Sequence, residues 1–403
     1  MNYNINKSNN QVPKGYKKTK VGIIPEDWDF IKLVDITFKI TDGTHKTPKY
    51  IDSGIIFLSA KNIIGNDLNF CNIKYISKRE HQDLIKRCFP EENDILLTKS
   101  GSLGSAIVIP KLEFEFSIFE SLALLKINQN ICSPYYLNQY INSGYAKKYF
   151  NAITTGLAVK HLHLVDLRKT KIPLPPLKEQ QKIANILTTW DNAVSKQNEL
   201  IKAKEELKKG LMQKLLSGEV RFEGFDREWE NIKLGNICQI TTGKLNANAM
   251  VDNGKYAYFT CARNIYKIDK FAFNTEALLV SGNGANVGYI HYYKGKFNAY
   301  QRTYVLDSFD NNDIIFVKYI LDKYLAMQIN REKNDGNTPY ITLPTLITMK
   351  LKLPQLQEQQ KIAKVLSTID KEIELLKNEL KSLKEQKKGL MQKLLTGEVR
   401  VNV

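Results

Sequence analysis

Polar side chains able to contact a nucleic acid recur in matched places along the chain. Lys61-Asn62 lies in the run Phe57-Leu-Ser-Ala-Lys-Asn-Ile, and Arg263-Asn264 lies in the kindred run Phe259-Thr-Cys-Ala-Arg-Asn-Ile. Lysine and arginine can bond guanine edges and asparagine can bond adenine. Thr44-His45-Lys46 follows Gly43, and Lys244-Leu-Asn246 follows the matching Gly243. Lys99 and Ser100 precede the loop Gly101-Ser-Leu-Gly104, while Ser281 and Asn283 flank the start of a second glycine-rich loop, Gly282 to Gly288. That second loop reads as a turn between strands, because no dinucleotide-type βαβ frame surrounds it. Tyr300-Gln301-Arg302 adds a further polar cluster. Each stretch alone is an ordinary solvated loop. As a set repeated in both halves of a chain of net charge +17, they are candidate DNA contacts.

Other chemistry finds little support. There is no G-x-x-x-x-G-K-[ST] phosphate loop and no Asn/Asp-Pro-Pro-aromatic motif of an amino-methyltransferase; Pro175-Pro176 is flanked by leucines. His161 and His163 are close in sequence but have no further His or Cys cluster near them, so a metal site is not expected. The five cysteines, Cys71, Cys88, Cys132, Cys238 and Cys261, form no C-x-x-C pair, so neither zinc nor a disulfide framework is expected. No apolar run reaches membrane-spanning length and the start MNYNINKSNN is polar, which predicts a cytoplasmic protein with no membrane partner.

The elements that must position these side chains are announced by an internal repeat. Residues 176–222 and 355–401 align without a gap: Glu179 meets Glu358, Gly210 meets Gly389 and Gly218 meets Gly397. Roughly half of the paired positions are identical. Leu164 and Leu167 before the first copy match Leu343 and Leu346 before the second, and Trp28 and Trp229 open similar stretches. The chain therefore reads as variable unit, constant segment, variable unit, constant segment.

Between Trp28 and about Lys171, short β-rich runs such as Ile95-Leu-Leu-Thr, Ala106-Ile-Val-Ile and Leu122-Ala-Leu-Leu predict strands, and Pro134 predicts a helix start. Pro173 to Pro176 is expected to stop regular structure before a long helix. Apolar residues then fall at Ile183, Leu187, Trp190, Val194, Ile201, Leu211 and Leu215. In the second copy they fall at Ile362, Leu366, Ile369, Ile373, Leu376, Leu380, Leu383, Leu390 and Leu394. Alternating steps of three and four mark a coiled-coil seam. Gln197, Lys204, Lys208 and Lys387 interrupt it, as register-setting polar positions or positions covered by a partner. Gly210 and Gly389, inside the pattern, suggest close helix packing, and Gly218 and Gly397 suggest helix ends. Glu179 and Glu358 fall in the first helical turn, where a carboxylate suits the helix dipole. The connection at residues 217–229 is too short for a parallel return, so the helices should pair antiparallel, giving a pseudo-two-fold dumbbell with the two units at opposite ends.

The predicted fold is α+β: two recognition domains of mixed α/β structure separated by two long antiparallel coiled-coil helices. The segments are a loose polar arm at 1–20, a first unit at 21–172, a helix segment at 173–222, a second unit at 223–351 and a second helix segment at 352–403. This order resembles the specificity subunit of type I restriction–modification systems. The residues that carry the resemblance are Ile172-Pro-Leu-Pro-Pro-Leu-Lys-Glu-Gln with its partner Leu353-Pro-Gln-Leu-Gln-Glu-Gln, the repeated G-L-M-Q-K-L-L-[ST]-G-E-V-R helix ends and the W-x-x-x-K-L openings at Trp28 and Trp229. Gln355 departs from the first copy, which has Pro176.

The resemblance implies two target-recognition domains, each reading half of a split double-stranded DNA target, with helices that set the gap and dock two methyltransferase subunits. It implies no catalysis and no cofactor on this chain. S-adenosylmethionine, ATP and magnesium would belong to the methyltransferase subunits, which by the resemblance methylate adenine at N6, and to the motor–nuclease subunits. A specificity unit of another bipartite system, or a scaffold carrying two binding modules, are the alternatives.

Overall fold

The computed structural model describes residues 12–65, 67–101, 103–154, 161–332 and 340–402. The chain divides into two compact units. One comprises residues 1–197 and 379–403, the other residues 198–378.

In the first unit a four-stranded antiparallel sheet runs in the order Ala106–Val108, Ile95–Thr98, Leu122–Ile127, Thr37–Asp42. The apolar residues of Leu122–Ile127, interrupted only by Lys126, let this sheet serve two cores, because successive side chains point to opposite faces. Ala123, Leu125 and Ile127 enter a core with Trp28 and Tyr136, while Leu122 and Leu124 enter a second core with Leu58 and Phe116. The second core is roofed by Phe116–Ile118, which lies parallel to Ile55–Leu58. The first core also takes in Ile183 and Leu187 of one long helix and Leu394 and Leu395 at the end of the other, which fixes the domain to the helices.

The second unit repeats the scheme with a six-stranded sheet in the order Gln239–Thr242, Thr303–Asp307, Phe273–Ser281, Ile290–Ala299, Tyr256–Phe259, Tyr266–Ile268. Leu278 and Val280 face a core containing Leu216, Ile362 and Leu366, and Ala277 and Leu279 face a second core with Phe259 and Phe297. The glycine-rich loop after Ser281 is the turn of the hairpin between Phe273–Ser281 and Ile290–Ala299, as expected.

The long helices, Leu177–Leu215 and Leu356–Leu394, each hold 39 residues, about 60 Å at 1.5 Å per residue. The predicted seam residues are all buried or half-buried, with Ile201 and Ile373 the most enclosed near the middle. Within each unit the two helices run antiparallel. In the first, Gln197 donates to Glu379 at 3.0 Å and Lys387 pairs with Asp191. In the second, Lys204 meets Glu372 at 2.7 Å, Lys208 meets Asp370 at 2.6 Å and Lys377 meets Glu205 at 2.6 Å. The polar interruptions of the seam are therefore filled by acidic residues of the facing helix. Each module reinforces one of these pairs. Gln139 donates to Asp191 at 2.6 Å, and the Tyr319 hydroxyl donates to Asp370. Gly218 and Gly397 lie just past the helix ends at φ +74° and +69°, where glycine avoids the left-handed penalty.

Three expectations require correction. The stop expected at Pro173 to Pro176 falls only at residues 175–176: Lys171–Leu174 is a strand paired with Asp29–Lys32, and Pro173 is tolerated because the sheet has only two strands. The arm is ordered at its end, where Tyr16–Thr19 pairs with Gly22–Pro25; its first eleven residues lie outside the described residues. Gly210 and Gly389 do not mark close packing, since among the described residues a Cβ built at either would meet no atom within 4 Å outside its own helix backbone. Gly210→Ala and Gly389→Ala should each stabilise the isolated chain by about 0.5–1 kcal/mol, read from urea unfolding.

Candidate nucleic-acid interface

In both modules the candidate residues are gathered around one turn built by the same backbone bonds. In the first, Phe119 N donates to Leu58 O at 2.8 Å, Glu120 N to Thr44 O at 3.0 Å, Leu122 N to Phe119 O at 3.0 Å, and Lys99 N to Ser121 O at 2.8 Å. In the second, Tyr300 N donates to Phe259 O at 2.8 Å, Gln301 N to Leu245 O at 2.9 Å, Thr303 N to Tyr300 O at 2.8 Å, and Gly282 N to Arg302 O at 2.8 Å. Position by position, Thr44 matches Leu245, Glu120 matches Gln301, Ser121 matches Arg302 and Lys99 matches Gly282. Gly43 and Gly243 let the strand pass this turn. A Cβ on Gly43 would lie 2.0 Å from Ile118 O, and one on Gly243 1.9 Å from Ala299 O, so no larger residue fits.

Around the first turn, His45, Lys46 and Lys61 are exposed and Thr44 and Ser100 are half-buried. His45 Nε2 sits 3.2 Å from Asp42 Oδ2, and the Thr44 hydroxyl donates to Lys46 O at 3.0 Å. Around the second, Lys244, Asn246, Arg263, Asn264, Gln301 and Arg302 are exposed and Asn283 is half-buried. Gln301 Nε2 donates to Asn246 Oδ1 at 3.4 Å, and the Arg263 guanidinium lies 5.3 Å from the Tyr289 ring centroid.

Three candidates face inward and cannot reach a groove as they stand. Lys99, with a side chain 2% exposed, pairs with the buried Asp42 and lies 3.9 Å from Glu120. Asn62 closes a capping box, its Oδ1 accepting from Ser59 N at 2.9 Å and its amide donating to Asn69 O at 3.1 Å. Ser281 is fully buried inside the sheet. Lys99 and Asn62 are drawn inward by partners that composition does not reveal, whereas the Ser281 hydroxyl has no hydrogen-bond partner among the described residues.

Asp42 is the hub of this corner. Burial alone would raise its carboxyl pKa, but Lys99, His45 and Arg87 outweigh that and hold it below the ordinary carboxylate value. The carboxylate therefore stays charged beside the buried Lys99. His161 Nε2 lies 4.0 Å from Glu120, and burial lowers its pKa. The His161 and His163 rings lie 5.3 Å apart with their planes tilted by 59°, and no group of three or more potential metal ligands occurs among the described residues.

The repeated helix starts and ends interlock within each unit. Arg400 donates to Glu179 at 2.8 and 2.9 Å and to Asp27 at 2.9 and 2.8 Å, and the Trp28 indole donates to Glu179 at 3.1 Å. In the other unit Arg221 makes a bidentate pair with Glu358 at 2.9 and 2.7 Å. Beside each glutamate a buried glutamine ties helix to module, with Gln180 Oε1 accepting from Ser133 N at 2.8 Å and Gln359 Oε1 from Asp313 N at 2.9 Å. Glu179 and Glu358 do sit in the first helical turn, and their structural role extends to these arginine pairs.

Sequence reasoning missed Glu120 and the role of Ser121, whose hydroxyl accepts from Ala60 N at 3.0 Å. The runs Phe119-Glu-Ser and Tyr300-Gln-Arg were the available signal. They are spaced differently from the preceding matched runs because the intervening loops differ in length.

Two copies of one α+β module, each joined to a long helix and each presenting a polar turn, define a bipartite recognition protein. The chain belongs to the family of the type I restriction modification DNA specificity domain, whose model matches residues 25–206 and 226–385. It is 29% identical to a putative type I restriction enzyme MjaX specificity subunit of Methanocaldococcus jannaschii, over 96% of this chain and 97% of that protein. It is 35% identical to the EcoDI specificity subunit of Escherichia coli over 42% of this chain and 37% of that one. Its fold is similar to the crystal structure of a type I S subunit from M. genitalium, with a TM-score of 0.65 at 20% identity, covering 91% of this chain and 96% of that chain. No helix among the described residues is long and apolar enough to cross a membrane.

Proposed function

We propose that this chain confers DNA sequence specificity on a type I restriction–modification enzyme without catalysing a reaction itself. Each module contacts one half of a split target on double-stranded DNA. The observation that carries this is the turn at Phe119–Ser121 and its counterpart at Tyr300–Arg302, built by matching hydrogen bonds in both modules and surrounded by exposed basic and amide side chains. Lys46, Lys61, Lys244, Arg263 and Arg302 supply cations for phosphates or guanine edges, while Asn246, Asn264, Asn283 and Gln301 supply paired donors and acceptors. His45, Thr44 and Ser100 complete the polar rim of the first turn.

The long helices act as a ruler between half-sites and as the docking surface for two methyltransferase subunits. Restriction–translocation subunits join that core. S-adenosylmethionine, ATP and magnesium are held by those partners, and removal of the target adenine from the stack is their task. The work of this chain is register: phosphate contacts orient it and base contacts select the site.

The test is binding of the chain, assembled with its methyltransferase subunits, to duplexes with and without the cognate split target over a salt series. Specific binding should exceed non-specific binding at least about 1,000-fold, with affinity falling linearly on a log–log salt plot. Weak binding that ignores sequence would favour a scaffold carrying two protein-binding modules.

A further inference from the structure

The two modules place chemically different side chains at one equivalent position. The four matching backbone hydrogen bonds put Glu120 where the other module has Gln301. Both follow an aromatic residue, and each donates its own N–H to the strand that leaves the crossing glycine, Thr44 O in one case and Leu245 O in the other. The Glu120 side chain is 25% exposed, and Gln301 is exposed.

A carboxylate on a surface that meets a polyanion is repelled by phosphate and can only accept hydrogen bonds. Its useful partners are base amino groups, and the cytosine N4 amino group is the favoured one. Lys99 removes the electrostatic objection. Buried and paired with Asp42, it stands 3.9 Å from the Glu120 carboxylate and offsets its charge from below. The second module has Gly282 at the position of Lys99 and a neutral amide at the position of Glu120, so no charge there needs offsetting. Glutamine both donates and accepts, which matches the N6 and N7 edge of adenine. The adjacent residue cannot play this part in the first module, because Ser121 is buried and its hydroxyl is held by Ala60 N.

We infer that Glu120 and Gln301 are one base-reading position present in both modules, set to cytosine in the first half-site and to adenine in the second. The inference rests on the DNA-reading role proposed above.

The experiment selects bound duplexes from a library randomised across both half-sites, using the full chain assembled with its methyltransferase subunits. The wild type must first return a split motif; if it returns none, the DNA-reading role itself fails. Given that motif, Gln301→Glu should change one position of one half-site from adenine to cytosine, with discrimination on the order of 5- to 150-fold, and leave the other half-site intact. Glu120→Gln should make the reverse change in the other half. Gln301→Ala should relax the preference at that one position while the rest of its half-site stands, which keeps the test decisive if a charge at this turn is poorly tolerated. An unchanged motif in the variants, a uniform loss of affinity for all sequences, or changes in both half-sites from one substitution would overturn the assignment.

Discussion

Arg221→Ala should lower the urea midpoint of the second unit clearly, because it leaves the buried Glu358 carboxylate without its cation. Glu358 has a side chain with no exposed surface, and both of its oxygens accept from Arg221. Removing the arginine strands a carboxylate in a site that water does not reach. Arg400→Ala should cost the first unit less, because Glu179 keeps the Trp28 indole as a donor at 3.1 Å. The Trp229 indole makes no comparable bond, its buried nitrogen having no partner among the described residues. Exchanging Arg221 and Glu358 together for methionine should recover most of the loss, since an apolar pair of similar volume leaves no unpaired charge. Urea unfolding of the single and double variants reads both effects. A single-variant midpoint equal to that of the wild type would mean the pair behaves like an exposed one.

Replacing residues 25–171 with the equivalent module of another family member should rewrite one half-site and leave the other, and the gap between them, unchanged. The physical ground is that each module has its own cores and its own polar turn. Each altered base pair should shift discrimination by roughly 1–3 kcal/mol, so a half-site of several pairs moves specificity by several orders of magnitude. The readout is the methylated motif. A change in both halves would show that the modules do not act independently.

Much of the helical scaffold was legible because a three–four spacing of apolar residues allows few other structures. The same holds for residues 122–125, whose unbroken apolar run implies burial on both faces. The partners of Lys204, Lys208 and Lys387 were not legible, because they depend on antiparallel register between segments far apart in sequence. The contact surface was legible as a set of loops but not residue by residue. Lys99 looks like any surface lysine until Asp42 is seen beside it, and Asn62 looks like an adenine reader until its amide is seen closing a cap. The exposure of Gly210 and Gly389 was hidden for a related reason, since a glycine in a helix does not announce whether anything approaches it.

The most direct test of the specificity role is co-expression of this chain with the methyltransferase subunit of its own system, followed by mapping of N6-methyladenine across the host DNA. The expected result is a single split motif with a fixed gap, present only when this chain is present. Methylation of the same sites without the chain, or no methylation although the complex demonstrably forms, would contradict it.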